Sequence, residues 1–297
     1  MPSPDLLSSG NLATVSLALY RQHFRAYALV SLQSLLWYFI PLYGWAKGAQ
    51  LQALIARQAY SELIEQPETL AAIRQRFQGF TWDIGAIHLL VGLASLGLNI
   101  VFFFLGVVIS IGIGIPAAIL VAASGGSVIL ALLLQLLQVA ITLLQWAALF
   151  WFYCRFLSAE LVLLVEPRAH TWSALSRSWR LTKRGHWRLQ LAASSLFLMT
   201  LPLWLLAISL TSAIATAITL RLQAEVDPIA LSSVLGWGIA LLFGLFLLVL
   251  LGVTVLTVPL WQALKAAVYF DLLNRREGRD LHLRSGRVPA DSQPPTP

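Results

Sequence analysis

The chain has 297 residues, of which 58% are hydrophobic and only 11% are charged, and its formal net charge at pH 7 is +7. Soluble domains usually carry about a quarter charged residues, so this composition excludes an ordinary water-soluble protein. The single cysteine, Cys154, excludes a disulfide framework or a thiolate metal site within one chain.

Four long runs of the sequence contain no Asp, Glu, Lys or Arg, namely 26–46, 84–154, 189–220 and 228–264. A helix that crosses the hydrocarbon core of a bilayer needs about 20 apolar residues, and each run is long enough. Backbone groups in lipid must be paired within a helix or a closed barrel, and the continuous, non-alternating apolar content excludes barrel strands. The sequence therefore predicts an all-α, polytopic transmembrane helical bundle with five or six spans and amphipathic interfacial helices.

Residues 1–25 are predicted to form an N-terminal tail and an amphipathic interfacial helix. Apolar residues recur at helical spacing through NLATVSLALYRQHFR (11–25), with two arginines on the opposite side and Asn11 as the expected N-cap. The opening residues MPSPDLL lack the basic region of a cleavable export signal, so we expect the first apolar block to remain as an anchor.

The integral membrane domain is predicted to cover residues 26–273. Its first apolar block contains the break PLYG (41–44), and QPETLAAIRQRF (66–77) is expected to form a short surface helix. The block 84–154 must turn at least once, and SGG (124–126) is its clearest turn signal.

Two further features complete the predicted organisation. A polar turn, RLQAEVDP (221–228), separates the last two apolar blocks, and the last block runs past Pro259. Residues 274–297 form a basic tail that is rich in Pro and polar residues, and we expect most of it to be disordered.

The distribution of basic residues predicts the orientation. The connection 155–188 holds seven Lys or Arg and the chain from Lys265 onward holds six, whereas the turn at 113–127 holds none. The positive-inside rule therefore places 155–188 and the C-terminus in the cytoplasm. The side of the N-terminus stays open: either 26–60 bends back at PLYG, or 84–123 forms two short spans and 48–82 lies outside.

The segment 172–188, WSALSRSWRLTKRGHWR, combines indole and positive charge. On a helical wheel the first side is formed by Trp172, Leu175, Trp179, Thr182 and His186, and the nearly opposite side by Arg177, Arg180, Arg184 and Arg188. This pattern is typical of a helix that lies in the membrane interface, where each basic residue near an anionic leaflet contributes on the order of 1 kcal/mol.

These residues are the candidate site. The predicted ligands of an anionic lipid headgroup or of a protein partner are Arg177, Arg180, Lys183, Arg184 and Arg188. The predicted interfacial anchors are Trp172, Trp179 and Trp187. Two alternatives to lipid binding stay open, since the charges could serve only to fix the topology or could dock a soluble partner.

A second pattern lies within the block 84–154. Its members fall on one helix face, at Gln135, Gln138, Thr142 and Gln145. Polar side chains in hydrocarbon face other helices or a wet cavity, so this face predicts interhelical hydrogen bonds or, alternatively, a pathway for a transported solute or lipid.

No catalytic, metal or cofactor site is predicted. The five histidines are scattered, and neither a metal-binding HExxH pair nor a nucleotide-binding loop occurs. A hydrolase acting on lipid headgroups is a further alternative, and it requires Glu160, Glu166 or Asp271 to converge with His170 or His186. We also expect no nucleic-acid partner, because the basic residues flank apolar blocks.

Two stretches resemble a known family. RFLSAELVLLVEPRAHTWSALSRSWRLTKRGHWR (155–188) matches an "A-L-x-R-S-W-x-L-T" pattern that follows a glutamate, and AVYFDLLNRREGRDLHL (267–283) matches "Y-x-D-L-x-x-R-x-E-G-x-D-L". Both patterns resemble the membrane domain of bacterial glycerophosphoryl diester phosphodiesterases and related stand-alone membrane proteins, including cyanobacterial ones. The motif residues singled out are five with charged side chains and one glycine, namely Glu166, Arg177, Asp271, Arg275, Glu277 and Gly278.

The resemblance implies a non-catalytic function. In those enzymes the phosphodiester is hydrolysed by a separate soluble barrel, and the membrane region of this chain leaves no room for one. The resemblance also implies a bacterial inner (plasma) membrane or a thylakoid membrane. We therefore expect a non-enzymatic membrane scaffold that binds lipid or a partner at a basic cytoplasmic face.

Overall fold

A computed structural model describes residues 9–123, 128–166, 169–183, 185–225 and 228–277. No strand occurs in these ranges, and nearly all of the described residues are helical. Four helical segments are long and apolar enough to cross a membrane, judged by length and composition: Gln78–Ala123, Gln135–Val165, His186–Ile218 and Leu241–Arg275. The all-α membrane class is thus confirmed, whereas the described residues offer four candidate spans instead of the predicted five or six.

The helices are numbered in chain order. Their bounds are α1 Ser9–Gln22, α2 Phe24–Trp37, α3 Tyr43–Leu63, α4 Leu70–Arg76, α5 Thr81–Ile109, α6 Ile115–Ala123, α7 Val128–Phe156, α8 Ala159–Val165, α9 Thr171–Thr182, α10 His186–Glu225 and α11 Pro228–Glu277. A 3₁₀ turn precedes α5, and a π-helical segment at Ser110–Gly114 joins α5 to α6.

The first apolar block is not among these four candidate spans, and it folds into a hairpin of α2 and α3. The two helices are antiparallel, because residues later in α3 lie beside residues earlier in α2. A Cβ atom added to Gly44 would overlap the carbonyl oxygen of Trp37, and a Cβ atom added to Gly48 would lie 2.8 Å from the carbonyl oxygen of Ser34. At the open end of the hairpin, His23 Nε2 lies 2.7 Å from Glu62 Oε1. The chain therefore bends back at PLYG, which is one of the two arrangements that the sequence left open.

Two much longer hairpins carry the membrane-crossing segments. In the first, Gln145 of α7 donates to Asn99 of α5 over 3.1 Å, and the Tyr153 hydroxyl donates to Ser95 over 2.9 Å. The second pairs α10 with α11, which have 40 and 50 residues. At a rise of 1.5 Å per residue these two helices are about 60 and 75 Å long, which is roughly twice the hydrocarbon thickness.

The buried core lies at one end of the molecule, which we call the base bundle. It is formed by α1 to α4, the start of α5, the end of α7, α8, α9, the start of α10 and the end of α11. Most residues of α3 are buried in the centre of the base bundle. The parts of α5, α7, α10 and α11 that extend away from the base bundle expose large apolar side chains. Apolar side chains that face outward along a candidate span are suited to lipid contact.

The N-terminal helix belongs to the base bundle. Leu12 and Leu19 of α1 are buried in the core, and α1 begins at Ser9, so the predicted N-cap at Asn11 is wrong. A small cavity of about 30 Å³ is lined jointly by Leu12, Gly185 and Arg275. The start of α1, the start of α10 and the end of α11 therefore lie at the same end of the molecule.

Other predicted boundaries agree only in part. The short surface helix is α4, with Thr69 as its N-cap, because the Thr69 hydroxyl accepts a hydrogen bond from the amide of Ala72. Helix α10 continues through most of the predicted polar turn, to Glu225. The turn signal at 124–126 and the tail from residue 278 lie outside the described residues.

The hairpin contact generates a test. We expect Gly44→Ala to lower the stability of the purified protein by about 1–3 kcal/mol, because the new methyl group would overlap a backbone oxygen that cannot move alone. The control is Gly92→Ala in α5, where no neighbouring atom lies within 4 Å and where replacing a helical glycine is neutral or favourable. Thermal unfolding in detergent, followed by tryptophan fluorescence, measures both, and equal midpoints would contradict the tight α2–α3 contact.

Candidate functional site

One buried carboxylate joins three parts of the base bundle. Glu160 at the start of α8 is 5% exposed, and its Oε1 lies 2.7 Å from His88 Nε2 of α5 and 2.9 Å from Lys265 Nζ of α11. Burial and, after it, the Glu160 charge raise the pKa of Tyr38 to about 12, which shows that the turn of the α2–α3 hairpin lies nearby. A charge removed from water must be paired, so this Glu160 cluster fixes how the three helices meet.

Two further carboxylates, Glu166 and Asp271, belong to the resemblance motifs and form ion pairs. Glu166 Oε1 accepts hydrogen bonds from Arg177 Nε at 3.0 Å and from the Tyr269 hydroxyl at 3.3 Å. Asp271 accepts from Arg275 Nε at 2.9 and 3.0 Å, and it lies 3.9 Å from Arg188 Nη2. The two motifs, about a hundred residues apart in sequence, are therefore in direct contact.

The same contacts limit the predicted site. Arg177 and Arg188, two of the predicted headgroup ligands, hold carboxylates of the protein itself, and each side chain is no more than about a third exposed. Their role in holding α8, α9, α10 and α11 together follows from the geometry. Their predicted role in lipid binding stays a prediction.

Helix α9 is attached to the end of α7 through its hydroxyl groups. Ser178 and Thr182 donate to the carbonyl oxygen of Arg155 at 2.9 and 3.4 Å, and Ser178 also contacts the Ser158 hydroxyl at 3.0 Å. The last carbonyl groups of a helix lack partners within that helix. The serine and threonine of the first motif satisfy one of them, which accounts for these residue types at these positions.

The expected single helix over 172–188 is wrong. Helix α9 ends at Thr182 and α10 begins at His186, so Trp187 and Arg188 belong to α10. The buried side of α9 is formed by small and aliphatic residues, which are Ala174, Leu175, Ser178, Leu181 and Thr182. This side is rotated by about a quarter turn from the aromatic side on the helical wheel, because α9 packs on α5, α7, α8 and α11 instead of lying alone on a lipid surface.

The rotation leaves two tryptophans and a basic residue on the same outward side of α9. Trp172 is 71% exposed and Trp179 is 37% exposed. Together with Ser176 and Arg180 they form one wall of a groove of about 730 Å³. The other walls come from α5 and α7, and the complete lining is Leu90, Val91, Ala94, Phe152, Phe156, Trp172, Leu175, Ser176, Trp179 and Arg180.

The chemistry of this groove is that of an amphiphile site. Its surface is mainly aliphatic and aromatic, and its polar side chains are Ser176 and Arg180. Pockets that take small molecules typically measure about 300–1,000 Å³ and combine apolar walls with a few polar groups. The groove thus suits a ligand with a hydrocarbon part and one polar or anionic end.

A second arginine lies directly behind the groove. Arg155 of α7 is 8% exposed, and its guanidinium carbon lies 4.8 Å from the ring centroid of Trp151 and 5.0 Å from that of Trp179. Its Nε and Nη1 are buried and have no hydrogen-bond partner within the described part of the chain. Cation–π attraction to the two indoles offsets part of the cost of burying this charge.

The remaining predicted site residues are not gathered at the groove. Lys183 follows α9 and is exposed, and Trp187 is exposed at the start of α10. Glu277 is the last residue of α11. Arg184 and Gly278 lie outside the described residues.

The polar face of α7 is divided. Gln145 makes the interhelical hydrogen bond to Asn99, as the first alternative predicts, while Thr142 donates to its own helix at the Gln138 carbonyl. Gln135 and Gln138 are exposed. Interhelical bonding therefore accounts for one of the four residues, and the predicted transport pathway stays a prediction.

The convergence required for a hydrolase is not observed. The histidine beside Glu160 is His88, while His170 interacts with Ser173. Within the described ranges, no group of three or more His, Cys, Asp or Glu side chains is placed to hold a metal ion.

Sequence reasoning missed His88, Lys265 and the role of Arg155. A signal for Arg155 was present, because Trp151 precedes it by four residues on a helix and such pairs face each other. His88 is the first ionisable residue inside the run 84–154, but nothing in the sequence indicates its partner.

Comparison of the chain with protein families, with curated proteins and with solved structures found no significant match. The resemblance to the membrane domain of glycerophosphoryl diester phosphodiesterases consequently stays a prediction.

The Glu160 cluster yields a stability prediction. We expect Glu160→Gln to destabilise the protein by about 3–5 kcal/mol, because Lys265 would then be a buried cation without its partner. We expect the double variant Glu160→Gln with Lys265→Met to lose less stability than the two single variants lose together. The difference should be about 1–3 kcal/mol, which is the coupling energy of a contacting pair. Thermal unfolding in detergent measures the cycle.

A surface pair provides the control for this cycle. Arg76→Gln removes a 60% exposed arginine from Glu68, and such a change costs at most about 1 kcal/mol. If Glu160→Gln were as mild as Arg76→Gln, the cluster would not be what holds the base bundle together.

Proposed function

We propose that this chain is a non-enzymatic integral membrane protein that binds a membrane lipid at its cytoplasmic end. The observation that carries the proposal is the groove between α5, α7 and α9, where Trp172, Trp179 and Arg180 stand beside the apolar walls. Trp172 and Trp179 serve as interfacial anchors, and Arg180 faces the headgroup.

The proposed topology has four spans and one re-entrant hairpin, with both ends of the chain in the cytoplasm. Helix α2 has 14 residues and would be about 21 Å long, too short for a span. Its turn exposes Phe39, Leu42 and Trp45, which suits insertion into one leaflet. The basic connection near Gly185 and the end of α11 lie at one end of the molecule, in keeping with the positive-inside rule.

The resemblance adds a cellular setting to the proposal. It favours a bacterial plasma membrane or thylakoid membrane and the non-catalytic part of a phosphodiesterase-type architecture. A basic cytoplasmic face of this kind also suits a scaffold that recruits a protein partner. The groove favours lipid, because its walls lie on α5 and α7, two of the helices that carry candidate spans.

Cysteine labelling tests the topology. The native Cys154 is buried, so the wild-type protein provides the background. We expect Lys183→Cys to react with a membrane-impermeant maleimide only after the cells are permeabilised. Leu42→Cys, at the hairpin turn, should not react from the outside of intact cells, and labelling there would show that α2 and α3 cross the membrane.

Filling the groove tests the lipid site. Ala94→Trp should displace hydrocarbon from the groove, because the added indole would occupy part of its volume. The lipid retained by the protein after purification in a mild detergent, counted by native mass spectrometry, should fall.

The matched control is Ala147→Trp. Ala147 is exposed on α7 and is not part of the groove lining, so the same added bulk should leave the retained lipid unchanged. Equal retention by Ala94→Trp and wild type would overturn the proposed site.

A further inference from the structure

We propose that the ligand of the groove is an anionic phospholipid and that its phosphate is the missing counter-ion of Arg155. This inference rests on the proposed function and deepens it by assigning the headgroup class. It adds to the candidate ligands an arginine that the sequence analysis did not include.

The charge pattern of the base bundle carries the inference. Three other half-buried or buried cations there each face a carboxylate: Lys265 faces Glu160, Arg57 faces Glu68, and Arg177 faces Glu166. Arg155 is at least as well buried, yet no carboxylate among the described residues lies within ion-pair distance of it.

Such a residue is costly unless something compensates it. Burying an ionised group without a partner is strongly unfavourable, and Arg155 additionally leaves Nε and Nη1 without acceptors among the described residues. The two indoles supply electron-rich faces but no hydrogen-bond acceptors. An anion that arrives from outside the chain would complete the site.

The groove is the route by which that anion reaches Arg155. Trp179 contacts the Arg155 guanidinium with one face and also lines the groove. Phe152 and Phe156, which flank Arg155 in the sequence of α7, line the groove as well. Because Trp179 is more than a third exposed, its side chain has room to swing outward. That movement uncovers Nε and Nη1, which are then available to donate to phosphate oxygens.

The placement of the groove also orients the lipid. Arg155 is the first charged residue after the run 84–154, so it marks the level at which α7 leaves the hydrocarbon. Leu90, Val91 and Ala94 continue from the groove along α5 toward the outer part of the hairpin. The acyl chain lies along these residues, and the phosphate stays at the level of Arg155 and Arg180.

The experiment compares two lipids with identical acyl chains. Wild-type protein and variants are placed in nanodiscs of equal parts phosphatidylglycerol and phosphatidylcholine, and the retained lipids are then counted by native mass spectrometry after transfer to detergent. We expect wild type to retain phosphatidylglycerol preferentially. Arg155→Gln should lower that preference at least about tenfold, the effect of losing a charge-assisted hydrogen bond, while total lipid changes little.

Two variants serve as controls. Arg155→Lys keeps the charge but replaces the several nitrogen donors of the guanidinium with one ammonium group, so it should retain part of the preference for phosphatidylglycerol. Arg74→Gln removes an exposed arginine from α4, away from the groove, and should leave the preference at the wild-type value. An unchanged preference in Arg155→Gln would overturn the assignment of the headgroup.

A measurement on the wild type keeps the proposal testable if Arg155→Gln does not fold. Phosphatidylglycerol should raise the thermal unfolding midpoint more than phosphatidylcholine, and free glycerol phosphate should not compete. Equal stabilisation by the two lipids, or full competition by glycerol phosphate, would overturn it. If Ala94→Trp lowers the retained lipid but the wild type shows no headgroup preference, only this inference is rejected. If Ala94→Trp leaves the retained lipid unchanged, the lipid site itself is rejected.

Discussion

The pairing of Glu160 with His88 and Lys265 is the constraint on which the arrangement of the helices depends. Apolar contact is not directional, and lipid tails compete equally well for the side chains of α5, α7, α10 and α11. Hydrocarbon alone would therefore allow many packings of these helices. A buried carboxylate with two specific partners on α5 and α11 allows far fewer, because any other packing leaves a charge unpaired.

The position of α9 follows from the same logic, applied to hydrogen bonds. Ser178 and Thr182 satisfy the Arg155 carbonyl, and Arg177 reaches Glu166 on the neighbouring segment. With its small side turned inward, α9 must turn Trp172 and Trp179 outward. The groove and its aromatic wall are thus a consequence of how the polar residues of the first motif are satisfied.

The sequence predicted what charge-free runs and breaks can predict, namely the helical membrane class and the break at PLYG. It failed where the result depends on distant partners. The wheel for 172–188 placed the indoles at the membrane interface, but it did not show that small residues such as Ala174 and Ser178 allow closer packing and lie inside the bundle. His88 and Lys265 are 177 positions apart, and no local pattern could indicate that both contact Glu160.

In the proposed topology, the polar contacts also set the depth of the protein in the bilayer. Arg188 and Asp271 interact just before the charge-free run 189–220 begins. That run is about 48 Å long as a helix, whereas the hydrocarbon is only about 30 Å thick. In the proposed topology the charged end stays at the cytoplasmic surface, so the surplus is accommodated by tilting or beyond the opposite leaflet. In that topology the protein is held from one side, which is where its buried charges, its proposed re-entrant hairpin and its groove all lie.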